Sequence, residues 1–227
     1  MRETFQIRLQ EEQYRMMLER YHFRQTDADQ LRCLGAILER LAGPVMYYAT
    51  CSVIENGLNS DIHMLAGDAQ CGESAEWKDG MQLAVLVSLG EKVDALQNEY
   101  VVKDRLTEGY MIECIGMELL QTAYAKSAEI IWKQSGLWMG GFEFLGDKYP
   151  LEWTEDIFSL LQPEDISYNK AYMMTPKKTV VFLTMLHRER QHSYCHVCAS
   201  CSNLQCPNRQ KQSSNMNYGY RRIFGKP

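Results

Sequence analysis

The chain has 227 residues, 45% of them hydrophobic, so it is long enough to bury a core without crosslinks. Its formal net charge is −5 and its pI is about 5.6, which excludes an overall electrostatic attraction to nucleic acid or to an anionic membrane. No run of about 18 apolar residues occurs, and positions 2 and 3 are charged. We therefore expect a soluble, cytoplasmic protein without a membrane segment.

The first part of the chain predicts two helices followed by a strand. Residues 3–24 are rich in Glu, Gln, Arg and Met, which is typical of a helix with one polar face. A second helix is predicted to begin at Thr26 or Asp27, both N-capping residue types, and to end before Gly43. Residues 45–53 are β-branched and aromatic, so they predict a strand.

The second part predicts two buried strands and a long helix. The apolar run at 83–89 indicates a strand buried on both faces, and 179–186 indicates a strand in a central position. Residues 106–133 have apolar side chains at helical spacing, and Gly136 is a suitable terminator. Residues 154–161 indicate a short amphipathic helix. The apolar positions of the long helix are Leu106, Tyr110, Met117, Leu120, Tyr124 and Ile131.

Together these elements predict an α+β fold, in which a few strands pack against the long helix and flanking helices. The sequence has no motif for serine hydrolase, zinc protease, P-loop or dinucleotide-binding chemistry. His63, His187 and His192 stand without a partner motif and are interpreted as surface or packing residues. Whether the protein is an enzyme is left open.

Four of the eight cysteines lie close together near the end of the chain, at Cys195, Cys198, Cys201 and Cys206. Their C-x2-C-x2-C-x4-C-P spacing is one residue longer than the run that binds iron–sulfur clusters in bacterial ferredoxins. In a reducing cytosol such a group favours metal binding over disulfides. Consecutive x2 spacings favour an iron–sulfur cluster, with zinc or no metal as the alternatives.

Several stretches of the chain match one known family in order and spacing. They are VSLG at 87–90, IECIG at 112–116, YPLE at 149–152, IFSLL at 157–161 and MMTPKKT at 173–179. The chain thereby resembles the activation domain of cobalamin-dependent methionine synthase, in its short stand-alone form with a cysteine-rich end. The resemblance covers roughly the last two thirds of the chain and implies a central, mostly antiparallel sheet.

The resemblance also implies a role with cobalamin. In the family, this domain binds S-adenosylmethionine and presents it to oxidised cobalamin, which is reduced by one electron and remethylated. We therefore interpret the protein as an accessory protein that docks on a corrinoid protein or a cobalamin-dependent methionine synthase or methyltransferase. It would help to return inactive Co(II) to Co(I), with the cysteine cluster passing the electron from a donor that the sequence does not name.

The family's cleft suggests which residues contact a cofactor here. In chain order they are Glu113, Glu118, Tyr149, Pro150 and Lys177. The loop at 140–148 lacks the arginine and the Gly-Tyr pair that the family uses for S-adenosylmethionine, and a bidentate charged contact has no substitute there. An S-adenosylmethionine-binding reactivation module is kept as an alternative function, and so is a zinc-stapled protein-interaction module. Nucleic acid is not expected as a partner.

The predicted organisation has three segments. Residues 1–75 form a helical and mixed segment that packs on the core, and residues 76–190 form the activation-domain-like core. Residues 191–227 form a cysteine-rich metal or iron–sulfur segment with a basic tail.

Overall fold

The computed structural model describes residues 1–54, 57–59, 82–146 and 148–189. Its strands are β1 (Arg2–Thr4), β2 (Val45–Ile54), β3 (Gly57–Asn59), β4 (Gln82–Ser88), β5 (Trp138–Met139), β6 (Glu143–Phe144), β7 (Ser167–Tyr168), β8 (Met174–Thr175) and β9 (Thr179–His187). Its helices are α1 (Glu11–Arg20), α2 (Ala28–Leu41), α3 (Glu91–Val102), α4 (Leu106–Ser135) and α5 (Trp153–Leu161). The predicted segment boundaries at residues 75 and 190 fall outside the described residues.

A seven-stranded antiparallel sheet organises most of the described elements. Its strand order is β1-β2-β4-β9-β5, with β3 also pairing with β2 and β6 also pairing with β9. Strands β7 and β8 form a separate hairpin. The predicted α+β fold with a mostly antiparallel sheet is confirmed. Strand β9 pairs with β4 on one side and with β5 and β6 on the other, so its predicted central position is confirmed as well.

Strand β4 is buried on both faces, as its apolar run predicts. Leu83, Val85 and Val87 pack into a cluster with the buried faces of α1 to α4. Ala84 and Leu86, which point the other way, pack into a second cluster beneath α5. The molecule therefore has helices on both sides of the sheet, with four on one face and α5 on the other.

The long helix α4 is confirmed, but three of its predicted core positions are wrong. The helix ends at Gly136, whose φ of +70° is the left-handed conformation that glycine adopts most easily. Leu106, Tyr110 and Met117 are 63%, 48% and 37% exposed. The first half of α4 buries a different face, with Ile112 among its residues, because apolar residues occupy two sides of this helix and spacing alone does not separate them.

The prediction of one helix over residues 3–24 is also wrong. The chain begins with β1, which pairs with β2, and only then enters α1. The unpaired edge of β2 offers backbone hydrogen bonds to the first residues, which a helix would not satisfy at that place. The second predicted helix is confirmed as α2, which begins directly after Asp27.

Helix α3, which connects β4 with α4, is not predicted by the spacing of the apolar residues. Residues 166–173 contain the two-residue strand β7, followed by a turn at Asn169–Tyr172. Among the described helices, none combines the length and the apolar character that a membrane span requires.

Candidate functional site

Three stretches that carry the sequence resemblance meet at one place, between the end of β4, the first half of α4 and the start of β9. The backbone N–H of Leu89 donates to the carbonyl of Lys178 at 3.0 Å. The hydroxyl of Thr179 donates to the hydroxyl of Ser88 at 2.8 Å. The side chain of Lys178 then reaches Glu113 on α4. We call this place, formed by Ser88, Glu113, Gly116, Lys178 and Thr179, the loop–helix junction.

Lys178 lies at the centre of the loop–helix junction. The residue is 3% exposed, and its ammonium group pairs with the carboxylate of Glu113, whose side chain is 36% exposed. The aliphatic part of Lys178 passes over Gly116, where an added Cβ would lie 2.8 Å from the lysine Cε. Glycine at this position therefore permits the close approach of the lysine to α4, and a larger residue would force Lys178 to shift.

The loop before β9 is held in place by a second acidic residue. The backbone N–H of Lys177 donates to Oδ2 of Asp94 on α3 at 2.6 Å, while the Lys177 side chain is exposed. The loop contains a cis peptide bond between Thr175 and Pro176. The position of the Lys178 ammonium is consequently fixed from both α3 and α4.

Glu118 lies away from the junction, on the side of α4 that faces α1. Its carboxylate pairs with Arg20 and accepts a hydrogen bond from the hydroxyl of Tyr21 at 3.0 Å. Burial raises the pKa of Glu118, although Arg20 and Tyr21 act in the opposite direction. Glu113 and Glu118 are five residues apart, about 140° around the helix, so the structure does not bring them to one cleft.

Tyr149 lies on the opposite face of the sheet, in the cluster under α5. Its ring stacks on Trp153 with centroids 4.9 Å apart. Its hydroxyl donates to Glu143 at 2.9 Å and accepts a hydrogen bond from Gln82 at 3.2 Å. Lys148 also pairs with Glu143, at 2.6 Å. Tyr149 is thus the middle member of a polar chain at the sheet edge and is separated by the sheet from Glu113.

Pro150 lines an open depression next to this polar chain. The depression has a volume of about 430 Å³. Its lining residues are Gly146, Lys148, Tyr149, Pro150, Leu151 and Glu152. Two of the five predicted cofactor residues therefore share this depression, and the other three lie across the sheet. The structure brings only Glu113 and Lys177 close to the loop–helix junction.

The strand pattern of β9 in the sequence indicates that Lys178 is the inward-facing lysine of this loop. Side chains alternate along a strand, and Val180 and Phe182 of β9 pack on the face of the sheet that carries α4. Extending this alternation backwards places Lys178, and not Lys177, under α4. No comparable signal exists for the partners of Glu118, because Arg20 is 98 residues away in the chain.

The four-cysteine group at Cys195, Cys198, Cys201 and Cys206 lies outside the described residues. Within residues 1–54, 57–59, 82–146 and 148–189, no group of metal-ligating side chains is present. Cys114 is buried in the core, and burial raises its pKa to about 12, so its thiol stays protonated at neutral pH.

No family model and no curated protein matches the chain. Among solved structures, the chain is similar to the crystal structure of the MetH reactivation domain bound to AdoHcy, with a TM-score of 0.51 and 11% sequence identity. The chain has the fold of the MetH reactivation domain. The similarity covers 86% of this chain and 81% of that chain, and at this identity it concerns the fold alone.

The structural similarity includes part of the N-terminal segment, residues 1–75. Residues 76–227 make up about two thirds of the chain, so a match over 86% has to include part of residues 1–75. This agrees with the position of β2, which lies between β1 and β4 in the main sheet. The MetH reactivation domain fold is therefore shared beyond the region where the sequence resemblance was found.

Proposed function

We propose that this protein takes part in the reductive reactivation of a corrinoid protein, such as a cobalamin-dependent methionine synthase or methyltransferase. The observation that supports this proposal is the shared fold with the MetH reactivation domain over most of both chains. The motif residues support it further, because three of the five stretches that match the family meet at the loop–helix junction. Stretches that hold one fold together are expected to lie close to each other in space, whereas stretches that match a family by chance are not.

The junction would give the corrinoid partner a rigid surface. The partly exposed carboxylate of Glu113 is held by the buried Lys178, and the loop that carries Lys178 is bound to Asp94. Side chains fixed in this way lose little conformational freedom when a partner docks, so more of the contact energy contributes to affinity. The role of the described residues in this proposal is to bind and orient the partner.

The electron would come through the group at Cys195, Cys198, Cys201 and Cys206. Four thiols within twelve residues are a donor set that suits an iron–sulfur cluster, and also zinc. When bound, an iron–sulfur cluster would supply the single electron that Co(II) needs to become Co(I). Six basic residues and no acidic residue in 190–227 would offset the thiolate charge and favour the reduced form.

A reactivation assay tests the proposal. A cobalamin-dependent methionine synthase that lacks its own reactivation domain is prepared in the Co(II) form and mixed with a reductant and S-adenosylmethionine, with and without the full-length protein. We expect the Co(II) absorbance of the enzyme to fall several-fold faster with the protein, because the proposed step is the reduction of Co(II) to Co(I). Equal rates with and without it, for this enzyme and for other Co(II) corrinoid proteins, would contradict the proposed function.

A second candidate is binding of an S-adenosyl ligand by this chain itself. The observation that favours it is that the structurally similar MetH reactivation domain was crystallised with AdoHcy. The carboxylate of Glu113 is partly exposed and is oriented by Lys178, so it offers an acceptor to an amino group. Calorimetric titration with S-adenosylmethionine and with AdoHcy tests this function. Heat of binding that is weakened in Glu113→Gln supports it, and no heat excludes it.

A further inference from the structure

An exposed apolar patch covers the end of α3 and the outer side of α4. Nine large hydrophobic residues are exposed in the described part of the chain, and five of them lie here. They are Val101, Val102, Leu106, Tyr110 and Met117, which are 45%, 82%, 63%, 48% and 37% exposed. The two helices are in contact at this place, because a Cβ on Gly109 would lie 3.0 Å from Val101. Contiguous apolar surface of this kind marks a binding site more often than isolated exposed residues do.

The patch lies in a part of the chain that is rich in acidic residues. Residues 91–117, which include α3 and the first half of α4, contain six acidic and three basic residues. Glu113 is in line with Tyr110 and Met117 on α4, at spacings of three and four residues. A segment that covers this patch should therefore combine apolar side chains with positive charge.

The chain itself contains such a segment. All 29 acidic residues and 18 of the 24 basic residues lie in 1–189, which gives this part a net charge of −11. Residues 190–227 contain the other six basic residues and no acidic residue, so their net charge is +6. Residues 218–224 read YGYRRIF and place two arginines among two tyrosines, an isoleucine and a phenylalanine.

We propose that the C-terminal residues 216–226 bind in cis to the exposed apolar patch on α3 and α4. The aromatic and aliphatic side chains would cover Val102, Leu106 and their neighbours, and Arg221 and Arg222 would pair with the acidic residues around the patch. Arginine is suited to this task because its planar head stacks on aromatic rings while it pairs with carboxylates. The proposal does not depend on the function proposed above.

The chain is long enough for this contact. His187 at the end of β9 pairs with Trp138, which follows the end of α4, so the C-terminal residues leave the fold near that end of the helix. The patch lies towards the other end, and a helix of 30 residues is about 45 Å long. The 26 residues between positions 189 and 216 span up to about 85 Å when extended. A connection over this distance is therefore sterically allowed.

Hydrogen–deuterium exchange of the full-length protein at low micromolar concentration tests the proposal. We compare the wild type with Val102→Ser/Leu106→Ser and with the control Met173→Ser, because Met173 is 64% exposed and lies outside the patch. Peptides within 216–226 should exchange several-fold faster in the patch variant than in the wild type and the control. Trypsin cleavage after Arg221 and Arg222 should accelerate in the same variant.

A second variant changes the C-terminal segment instead of the patch, so its result does not depend on whether the patch variant folds. Arg221→Ser/Arg222→Ser does not alter any described residue, and it should increase exchange in peptides from 99–110. Equal exchange of 216–226 in all proteins would overturn the proposal. Patch protection that rises with protein concentration and is unchanged by the arginine variant would assign the patch to a second copy of the chain. Protection that requires an added corrinoid protein would assign it to that partner, and both results would also overturn the proposal.

Discussion

The ammonium group of Lys178 is buried beneath helix α4 and donates a hydrogen bond to the carboxylate of Glu113, which is 65 residues away in the chain. This pair connects the loop before the last strand with the long helix. The two partners differ in exposure, since Lys178 is enclosed by protein and Glu113 is partly in contact with water. Replacing Lys178 and replacing Glu113 should therefore lower the free energy of unfolding by different amounts.

Replacing Glu113 should cost more than replacing Lys178. Glu113→Met leaves a buried ammonium group without its counterion, which should lower the free energy of unfolding by about 3 kcal/mol. Lys178→Met leaves a carboxylate that can turn to water, and the cost should be about 1 kcal/mol. Urea denaturation measures both values, and the double variant should resemble Lys178→Met. Equal losses in the two single variants would show that the pair is not buried as described.

Substitution of Gly116 should destabilise the protein because of Lys178. Alanine is favoured over glycine in a helix by about 1 kcal/mol, but its Cβ would lie 2.8 Å from the lysine Cε. Overpacking of this kind costs about 1–3 kcal/mol, so Gly116→Ala should give a net loss of about 1 kcal/mol.

Gly109→Ala in the same helix is the matched control for this substitution. Its Cβ would meet Val101 at 3.0 Å, and this side chain is 45% exposed, so little surrounding protein opposes a small shift of it. We expect this variant to be as stable as the wild type or more stable in thermal unfolding. A stable Gly116→Ala variant would contradict the close contact with Lys178.

The raised pKa of Glu118 should produce a pH dependence of stability. The native carboxyl binds its proton more tightly than the unfolded one, so this group's contribution falls as the pH rises from about 4.5 through the native pKa. Glu118→Gln cannot titrate. The stability of the wild type relative to Glu118→Gln should therefore decrease with rising pH over this window in urea unfolding. A difference that is constant with pH, or that increases, would show that Arg20 outweighs burial.

The described cysteines should differ strongly in reactivity. Cys33 is exposed, whereas Cys51 and Cys114 are buried, and the pKa of Cys114 is raised to about 12. Iodoacetamide at pH 8 should label Cys33 in the native protein and leave Cys51 and Cys114 unlabelled until urea is added. Peptide mass spectrometry gives the extent at each position. Rapid native labelling of Cys114 would contradict its burial.

Metal analysis decides the chemistry of the C-terminal cysteines. We expect anaerobically purified protein to contain iron and inorganic sulfide and to absorb near 400 nm, a region where zinc thiolates are colourless. Cys198→Ser should lose most of the iron, while the control Cys33→Ser should retain it. Colourless protein with stoichiometric zinc would remove electron transfer from the proposed function and favour a zinc-stapled interaction module.

The elements that the sequence predicted correctly are those with one dominant local signal. Strand β4 has an unbroken apolar run, α2 begins after a capping residue type, and α4 ends at Gly136. In each case, burial, capping or a left-handed conformation restricts which residues can occupy the position. These restrictions act over a few neighbouring residues, so they can be recognised from the sequence without knowledge of the rest of the fold.

The candidate site was predicted less completely. The matching stretches identified Glu113 and the loop that contains Lys177, but the buried residue is Lys178. The sequence did not separate Glu113 from Glu118, because both are acidic residues on one helix. Their different surroundings, one facing the loop before β9 and the other facing Arg20, exist only after the helices have packed.

Local sequence therefore determined where β2, β4, β9, α2, α4 and α5 occur, that the fold is α+β, and which short stretches belong together. Tertiary structure decided which side of α4 is buried, which lysine pairs with Glu113, and that Tyr149 and Pro150 lie across the sheet from it. The physical reason is the range of the interactions. Helix capping and strand alternation depend on residues up to about four positions apart, whereas a buried ion pair depends on partners that only the folded chain brings together.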